Sequence, residues 1–218
     1  MIQQLFDLFN KGGIVMYPLF LASSVAIVLI VERCLFWFRV SRRQSKVVRD
    51  VLRLYRTNSE AARKKLELEI DLPIARIFLA ALELDRPNTE EFQIALESAA
   101  QAEIPVLKRF NTVFDSVITL SPLLGLLGTV TGLMTSFASV QFGDLSGERA
   151  AAVTGGISEA LITTATGLVI AIFTSFFANM FRGFYQRQIY LIQEYGGQLE
   201  LIFRRYHDKV EQTRNALT

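Results

Sequence analysis

Side chains that could carry or solvate a proton lie in two otherwise apolar stretches of this chain. Glu159 is followed by Thr163, Thr164 and Thr166, and Thr129 lies in the earlier stretch. An ionisable group at membrane depth costs about 2.5–3.5 kcal/mol or more, so it usually faces a bundle interior or water and marks an ion path. Threonine hydroxyls beside it could hold water. These residues predict a polar path inside a membrane.

Plainer interpretations of the same residues remain open. Glu159 is near the start of its stretch and could sit at the outer interface, and each threonine could bond only to a carbonyl of its own helix. At about 100° per residue, Glu159, Thr163 and Thr166 share one helical face, and Thr164 lies well around from them. Periodicity alone therefore favours Thr163 as the lining residue.

The earlier stretch also has small residues along one side of a helix. Small side chains let membrane helices approach closely. We therefore expect Gly125, Gly128 and Gly132, with Pro122, to serve helix packing and to join the second spans of neighbouring copies. Helical spacing gives this narrow face the following members, with Thr129 and Ser136 at its edge: Ser121, Gly125, Gly128, Gly132, Thr135 and Ser139.

Three apolar runs separate the charged parts of the chain. Of its 218 residues, 51% are hydrophobic and 20% are charged. The runs at 14–38, 113–140 and 156–181 are each long enough to cross about 30 Å of hydrocarbon as a helix. The remaining segments are predicted as an amphipathic helix on the outer surface at 1–13, a cytoplasmic helical loop at 39–112, an outer (periplasmic) link at 141–155 and a cytoplasmic helical tail at 182–218.

The loop and tail are predicted to be helical as well. Residues 45–55 are amphipathic, Pro73 opens a helix, and Asn88 followed by acidic residues is a helix start. From Thr89 one long helix is expected to run into the second span, bent near Pro105 and Pro122. The fold class is therefore an all-α membrane protein with three transmembrane helices, of which the second and third extend into a helical cytoplasmic body.

The distribution of Lys and Arg predicts the orientation. Segment 39–112 has 14 of them and segment 182–218 has 6, whereas Lys11 and Arg149 are alone in the two outer segments. Because cytoplasmic loops carry the excess of basic residues, the N-terminus is expected to be periplasmic and the C-terminus cytoplasmic. The net charge of +2 gives no indication of a nucleic-acid partner.

The sequence offers no site for covalent catalysis. No pair of His, Cys or carboxylate residues has metal-ligand spacing, and no nucleophile has a plausible base. Cys34 is the only cysteine and His207 the only histidine, the first expected as a buried small apolar residue and the second as a solvated one. We expect no enzyme activity, no metal and no cofactor.

Two segments, residues 121–130 and 156–168, closely resemble the signature segments of the MotA/TolQ/ExbB proton-channel family. The three-span layout, the outer N-terminus and the Glu32–Arg33 pair that closes the first span are similar to the ExbB and TolQ branch. By motif match, Thr129 and Thr164 correspond to pore threonines, Glu159 to the pore glutamate, and Asn179 to an asparagine near the inner end of the third span.

The resemblance implies a homopentamer in the bacterial inner membrane whose second and third spans line a pore. The pore would hold single-span ExbD- or TolR-like subunits, whose aspartate carries the transported ion, H⁺. The motion would pass to a TonB- or TolA-like protein, to energise outer-membrane transport in the ExbB case or to maintain the envelope in the TolQ case. A flagellar stator normally has four spans, and a passive membrane scaffold would have little reason to bear the cost of Glu159.

Overall fold

A computed structural model of the chain describes residues 9, 11–138 and 147–216, without the side chains of 147–152 and 207–216. The described residues are helical almost throughout, which confirms the predicted all-α class. In the described part of the chain, helices follow one another in this order: α1 Met16–Tyr55, α2 Ser59–Glu67, α3 Pro73–Leu82, α4 Thr89–Leu107, α5 Asn111–Ala138 and α6 Gly147–Ala216.

Three stretches of these helices are long and apolar enough to cross a membrane: Met16–Tyr55, Thr89–Ala138 and Val153–Tyr206. Large apolar side chains on them face away from the chain, among them Met134 and Phe137, which are 66% and 73% exposed. Lipid or a neighbouring copy can cover such a surface. The chain is a multi-pass membrane protein. The predicted helix at 1–13 lies largely outside the described residues. Of the predicted link at 141–155, residues 141–146 lie outside them, and the backbone of 147–155 already belongs to helix α6.

The second long helix differs from the prediction because it is interrupted. Pro105 and Pro122 lie inside α4 and α5, and the break falls between them at residues 108–110. Phe110 has φ +70°, in the left-handed region that a right-handed helix cannot pass through. The Arg33 guanidinium lies 5.3 Å from the centre of the Phe110 ring. A tertiary contact thus accompanies the break.

One of two compact units comprises Met1–Arg33 and Phe110–Phe181. At the start of α1, Val15, Met16 and Leu19 form a buried apolar cluster. Leu124 of α5 and Ile170 of α6 pack against this cluster. At the other end of the α5–α6 pair, the rings of Phe114 and Phe181 lie 5.8 Å apart. This unit contains every predicted site residue.

The other unit comprises Cys34–Arg109 and Arg182–Thr218. Helix α3 begins with Pro73 and is almost wholly buried, whereas Asn88 and Glu91 form a capping box at the start of α4, so both predicted helix starts are confirmed. The rings of Phe92 and Phe203 stack 4.1 Å apart.

Candidate functional site

Helices α5 and α6 pack through small residues. Gly125, Gly128 and Gly132 are all buried. A Cβ atom added to Gly128 would lie 2.5 Å from the Thr163 Cβ, and one added to Gly132 would lie 2.7 Å from the Gly156 carbonyl oxygen. Neither position can accept a side chain without movement, because real Cβ contacts are longer.

This contact corrects the expectation that the glycine face joins neighbouring copies. The face is filled by α6 of the same chain, so it is not available to another subunit's second span. Its membership also differs: Ser136 is buried and donates to the Gly132 and Val153 carbonyls at 3.0 and 3.2 Å, whereas Thr135 is exposed. Ser139 lies outside the described residues.

Thr129 and Thr164 meet between the two helices. Their hydroxyl oxygens are in direct contact. The Thr164 hydroxyl also donates to the Gly125 carbonyl across the interface at 3.0 Å, and the Thr129 hydroxyl reaches the same carbonyl at 3.2 Å. Both side chains are half-buried. Of the four threonines considered from the sequence, these two form a bond that is not confined to their own helix.

The number of hydroxyl protons limits which hydrogen bonds this pair can make to water or to another side chain. Two hydroxyls share two protons among three contacts, so one proton goes to the Gly125 carbonyl and the other joins the two oxygens. The threonine oxygens keep free lone pairs, which can accept hydrogen bonds, but no proton is left to donate one. The pair therefore suits a hydrogen-bond donor such as water or a protonated carboxyl group.

The hydroxyls of Thr163 and Thr166 bond only to carbonyls of their own helix. Thr163 is fully buried against Gly128, and its hydroxyl donates to the Glu159 and Ala160 carbonyls at 3.0 Å. Thr166 donates to the Ile162 carbonyl at 2.8 Å. The structure therefore differs from the expectation that Thr163 lines a pore: it fills the space above a glycine.

Glu159 lies against the turn that precedes α1. A Cβ atom on Gly13, whose φ is +65°, would lie 2.6 Å from the Glu159 Cδ and overlap its Oε1. The carboxyl group is thus at the end of the unit where α1 begins. Thr164 lies five residues further along α6, about 7.5 Å deeper. The two candidate polar groups occupy different levels of the same helix pair.

The remaining predicted residues lie elsewhere on the same two helices. Asn179 is exposed, and its Nδ2 donates to the Ser175 Oγ at 3.3 Å. Pro122 is half-buried inside α5, where its missing N–H leaves the Ile118 carbonyl without its helical partner. Within the described part of the chain, no three His, Cys, Asp or Glu side chains come together as metal ligands.

Sequence reasoning missed the α6 half of the glycine interface and the role of Gly13. Positions 156, 160, 163 and 167 alternate in steps of four and three, which is the spacing of one helical face. A Cβ atom on Gly167 would overlap the Ser121 carbonyl. The row of small residues at these four positions could therefore have predicted the α6 side of the interface. Gly13 carried no such signal, because its partner is 146 residues away.

Comparison with known proteins identifies the family. The family model described as the MotA/TolQ/ExbB proton channel family matches residues 69–194, which include α5 and the candidate residues of α6. The chain belongs to this family. It is a channel family by its description.

Individual relatives favour the ExbB-like branch. The ExbB-like 3 protein of Synechocystis sp. is 55% identical over 205 residues, which cover 94% of this chain and 98% of the relative. The ExbB-like 1 protein of Synechocystis sp. is 40% identical over a region that covers 92% of this chain and 80% of the relative. The biopolymer transport protein ExbB of Neisseria gonorrhoeae is 27% identical over 75% of this chain and 80% of the relative. The resemblance found in the two motifs is thereby confirmed.

Proposed function

We propose that this protein is a subunit of a proton-driven motor that energises TonB-dependent transport across the outer membrane. It acts with an ExbD-like single-span partner, whose aspartate carries the proton. The proposal is supported by membership of the proton channel family and by relatives named as biopolymer transport proteins. A TolQ-like role in envelope integrity is the alternative that the same chemistry allows.

The observation that carries the proposal is the Thr129–Thr164 pair. Its free lone pairs accept a hydrogen bond from water or from a protonated carboxyl group of the partner, and they offer nothing to a carboxylate. The pair thus favours the protonated form of a partner side chain at that level. When the proton leaves, the carboxylate has to find donors elsewhere, which couples the proton's position to the partner's position.

Glu159 has a different role in this proposal. Its carboxyl group, held beside Gly13, sets the electric field at one end of the path and can bond to the partner helix. Asn179 belongs to the other end of the path. Thr163 supports the pair by packing against Gly128. No cofactor takes part, and the ion that moves is H⁺.

The assembly and its placement are part of the proposal. Five copies surround the partner helices in the bacterial inner membrane, with the second and third spans toward the pore. The N-terminus is periplasmic, and the loop and tail are cytoplasmic. The positive-inside rule supports this orientation.

The test replaces the two threonines by valine in cells that depend on this protein and its partner. We expect uptake driven by the proton motive force to fall about tenfold, which corresponds to about 1.4 kcal/mol of lost hydrogen bonding. Glu159→Ala should abolish uptake as well. Oligomer size, measured by native mass spectrometry, should stay unchanged in all of these variants.

Thr131→Val provides the matched control. Its hydroxyl donates only within α5, to the Leu127 and Gly128 carbonyls at 3.1 Å, so its loss leaves the α5–α6 contact intact. Full uptake by a Thr129→Val, Thr164→Val and Glu159→Ala triple variant would rule out the proposed mechanism. Equal loss in the Thr131 control would show that hydroxyls matter only for helix stability.

A further inference from the structure

A row of exposed basic residues runs along α1 beyond the apolar run. The intervals between its members alternate between three and four residues, so the five members on α1 share one face of the helix, and the sixth directly follows the helix end. All six side chains are exposed. The basic row, as we name it, spans about 25 Å at 1.5 Å per residue. Its members are Arg39, Arg42, Lys46, Arg49, Arg53 and Arg56.

The basic row makes no ion pair with any described residue. In the same unit, Arg43, which is off the row, pairs with both Glu69 and Asp71, and Arg76 donates two bonds of 2.6 Å to Glu103. Arg42 only stacks on the Phe38 ring at 4.4 Å. Like charges three and four residues apart destabilise a helix, so an acidic occupant would relieve the row.

A lipid surface can reach only the near part of this row. Phe38 ends the apolar run, and the field of anionic lipids falls off within a Debye length of about 8–10 Å. Counted along the helix from Phe38, Arg49 and Arg56 lie about 16 and 27 Å away. Anionic lipid therefore does not reach the far half of the row, whereas an acidic protein surface could.

The chain has such a surface at the start of α4. Glu90, Glu91 and Glu97 are exposed and make no ion pair among the described residues, and they constitute what we name the acidic face. Ile94, which is 57% exposed, lies between Glu90 and Glu97 on the same side of the helix. This face lies on another helix than the basic row.

The basic row and the acidic face lie at the same level of their unit. Helix α1 lies against α6, where the Gln188 amide donates to the Gln44 Oε1 at 2.6 Å. Further along, burial and the electrostatic effect of Tyr206 raise the pKa of Tyr55, at the end of α1, to about 12. Nearby on α6, Phe203 stacks on Phe92. The Arg204 guanidinium also donates to Gln93 at 3.1 Å. The end of α1 and the start of α4 thus lie near the same stretch of α6.

We propose that the far half of the basic row in one copy binds the acidic face of a neighbouring copy. The inference rests on the proposed homo-oligomer. Copies related by rotation about an axis along the membrane normal keep each residue at its level, so Arg49 and Arg53 come opposite Glu90 and Glu97 around the ring. Such a contact is heterologous, with different surfaces on its two sides, as a closed ring requires.

Charge reversal on either side tests the contact. Arg49→Glu with Arg53→Glu, and separately Glu90→Lys with Glu97→Lys, should each lower the oligomeric fraction about fivefold in native mass spectrometry. Glu91 is left unchanged because it caps α4. All four changes in one chain should restore the oligomer. Arg49→Gln with Arg53→Gln is a milder variant that keeps the test valid if reversal prevents folding.

Lys64→Glu with Arg187→Glu is the control, because it also reverses two exposed charges but lies off the row. It should leave the oligomer unchanged. Co-purification of differently tagged copies gives an independent measurement. The variant with a reversed basic row should co-purify with the variant with a reversed acidic face better than with a second copy of itself.

Three outcomes overturn the inference. The first is an intact oligomer in both charge-reversal variants. The second is a loss that the fourfold variant does not reverse, together with loss of binding to vesicles containing anionic lipid, which would assign the row to the membrane surface. The third is a monomeric wild-type protein, which would overturn the proposed homo-oligomer as well and so is distinguishable from the other two.

Discussion

At the scale of single residues, the position of the Glu159 carboxyl group depends on the absence of a side chain at Gly13. The turn before α1 holds Gly13 at φ +65°, a conformation that costs other residues about 1–2 kcal/mol. The carboxyl group occupies the space that a Cβ atom would need. Glycine is thus required here by both the backbone and its neighbour.

Gly13→Ala should therefore displace the Glu159 carboxyl group and reproduce the phenotype of Glu159→Ala. We expect loss of proton-driven uptake together with a lower midpoint of thermal unfolding in detergent, because the added methyl group must move the side chain or the turn. Gly155→Ala is the control: its Cβ atom would meet open space. Wild-type uptake in Gly13→Ala would show that the position of this carboxyl group is unimportant.

The threonines show why one helix's periodicity is insufficient to choose a lining residue. Thr163 and Thr164 are neighbours in sequence, and both touch α5, but one fills the space above Gly128 while the other reaches the Gly125 carbonyl. Which contact each makes depends on the offset of the partner helix, and that offset is absent from the phase of a single helix. The resemblance to the family motif pointed to Thr164, whose hydroxyl does reach across to α5.

At the scale of helices, the α5–α6 pair depends on side-chain volume at each crossing point. Gly128→Ala should destabilise the protein by about 1–3 kcal/mol, since its Cβ atom would lie 2.5 Å from that of Thr163. Thr163→Gly removes the obstructing atoms. In a double-mutant cycle the combined change should cost less than the sum of the two single changes.

Thermal unfolding in detergent measures this coupling. Gly183→Ala is the matched control, because its Cβ atom would meet nothing within 4 Å, and it should stabilise α6 by up to about 1 kcal/mol. Leu127→Ala, at a half-exposed position outside the glycine face, should not couple to Thr163. Strict additivity of Gly128→Ala and Thr163→Gly would contradict the assigned contact.

Elements set by local chemistry were predictable from the sequence, whereas the break in the second long helix was not. Pro73 and the Asn88 cap act through their own first turns, so their composition suffices. The break at Phe110 is a backbone conformation accompanied by the distant Arg33 guanidinium. Prolines suggested bends at other positions, but both are accommodated inside helices.

At the scale of the whole molecule, the three spans were predictable because length and apolarity are additive along the chain. Composition could not reveal which helix would cover the glycine face. A small-residue face is equally suited to the same chain or to a second copy. In this protein α6 takes it, and a pentamer must therefore use other surfaces, such as the basic row and the acidic face.

The orientation of the whole molecule in the membrane can be decided by cysteine labelling. Segment 39–112 carries 14 basic residues and segment 141–155 carries Arg149 alone, so the first is expected to remain in the cytoplasm. In a Cys34→Ser background, Lys64→Cys should be protected from a membrane-impermeant maleimide in intact cells, and Leu145→Cys should react. Permeabilised cells, in which both cysteines should react, control for local accessibility. Labelling of position 64 with protection of position 145 would reverse the proposed topology.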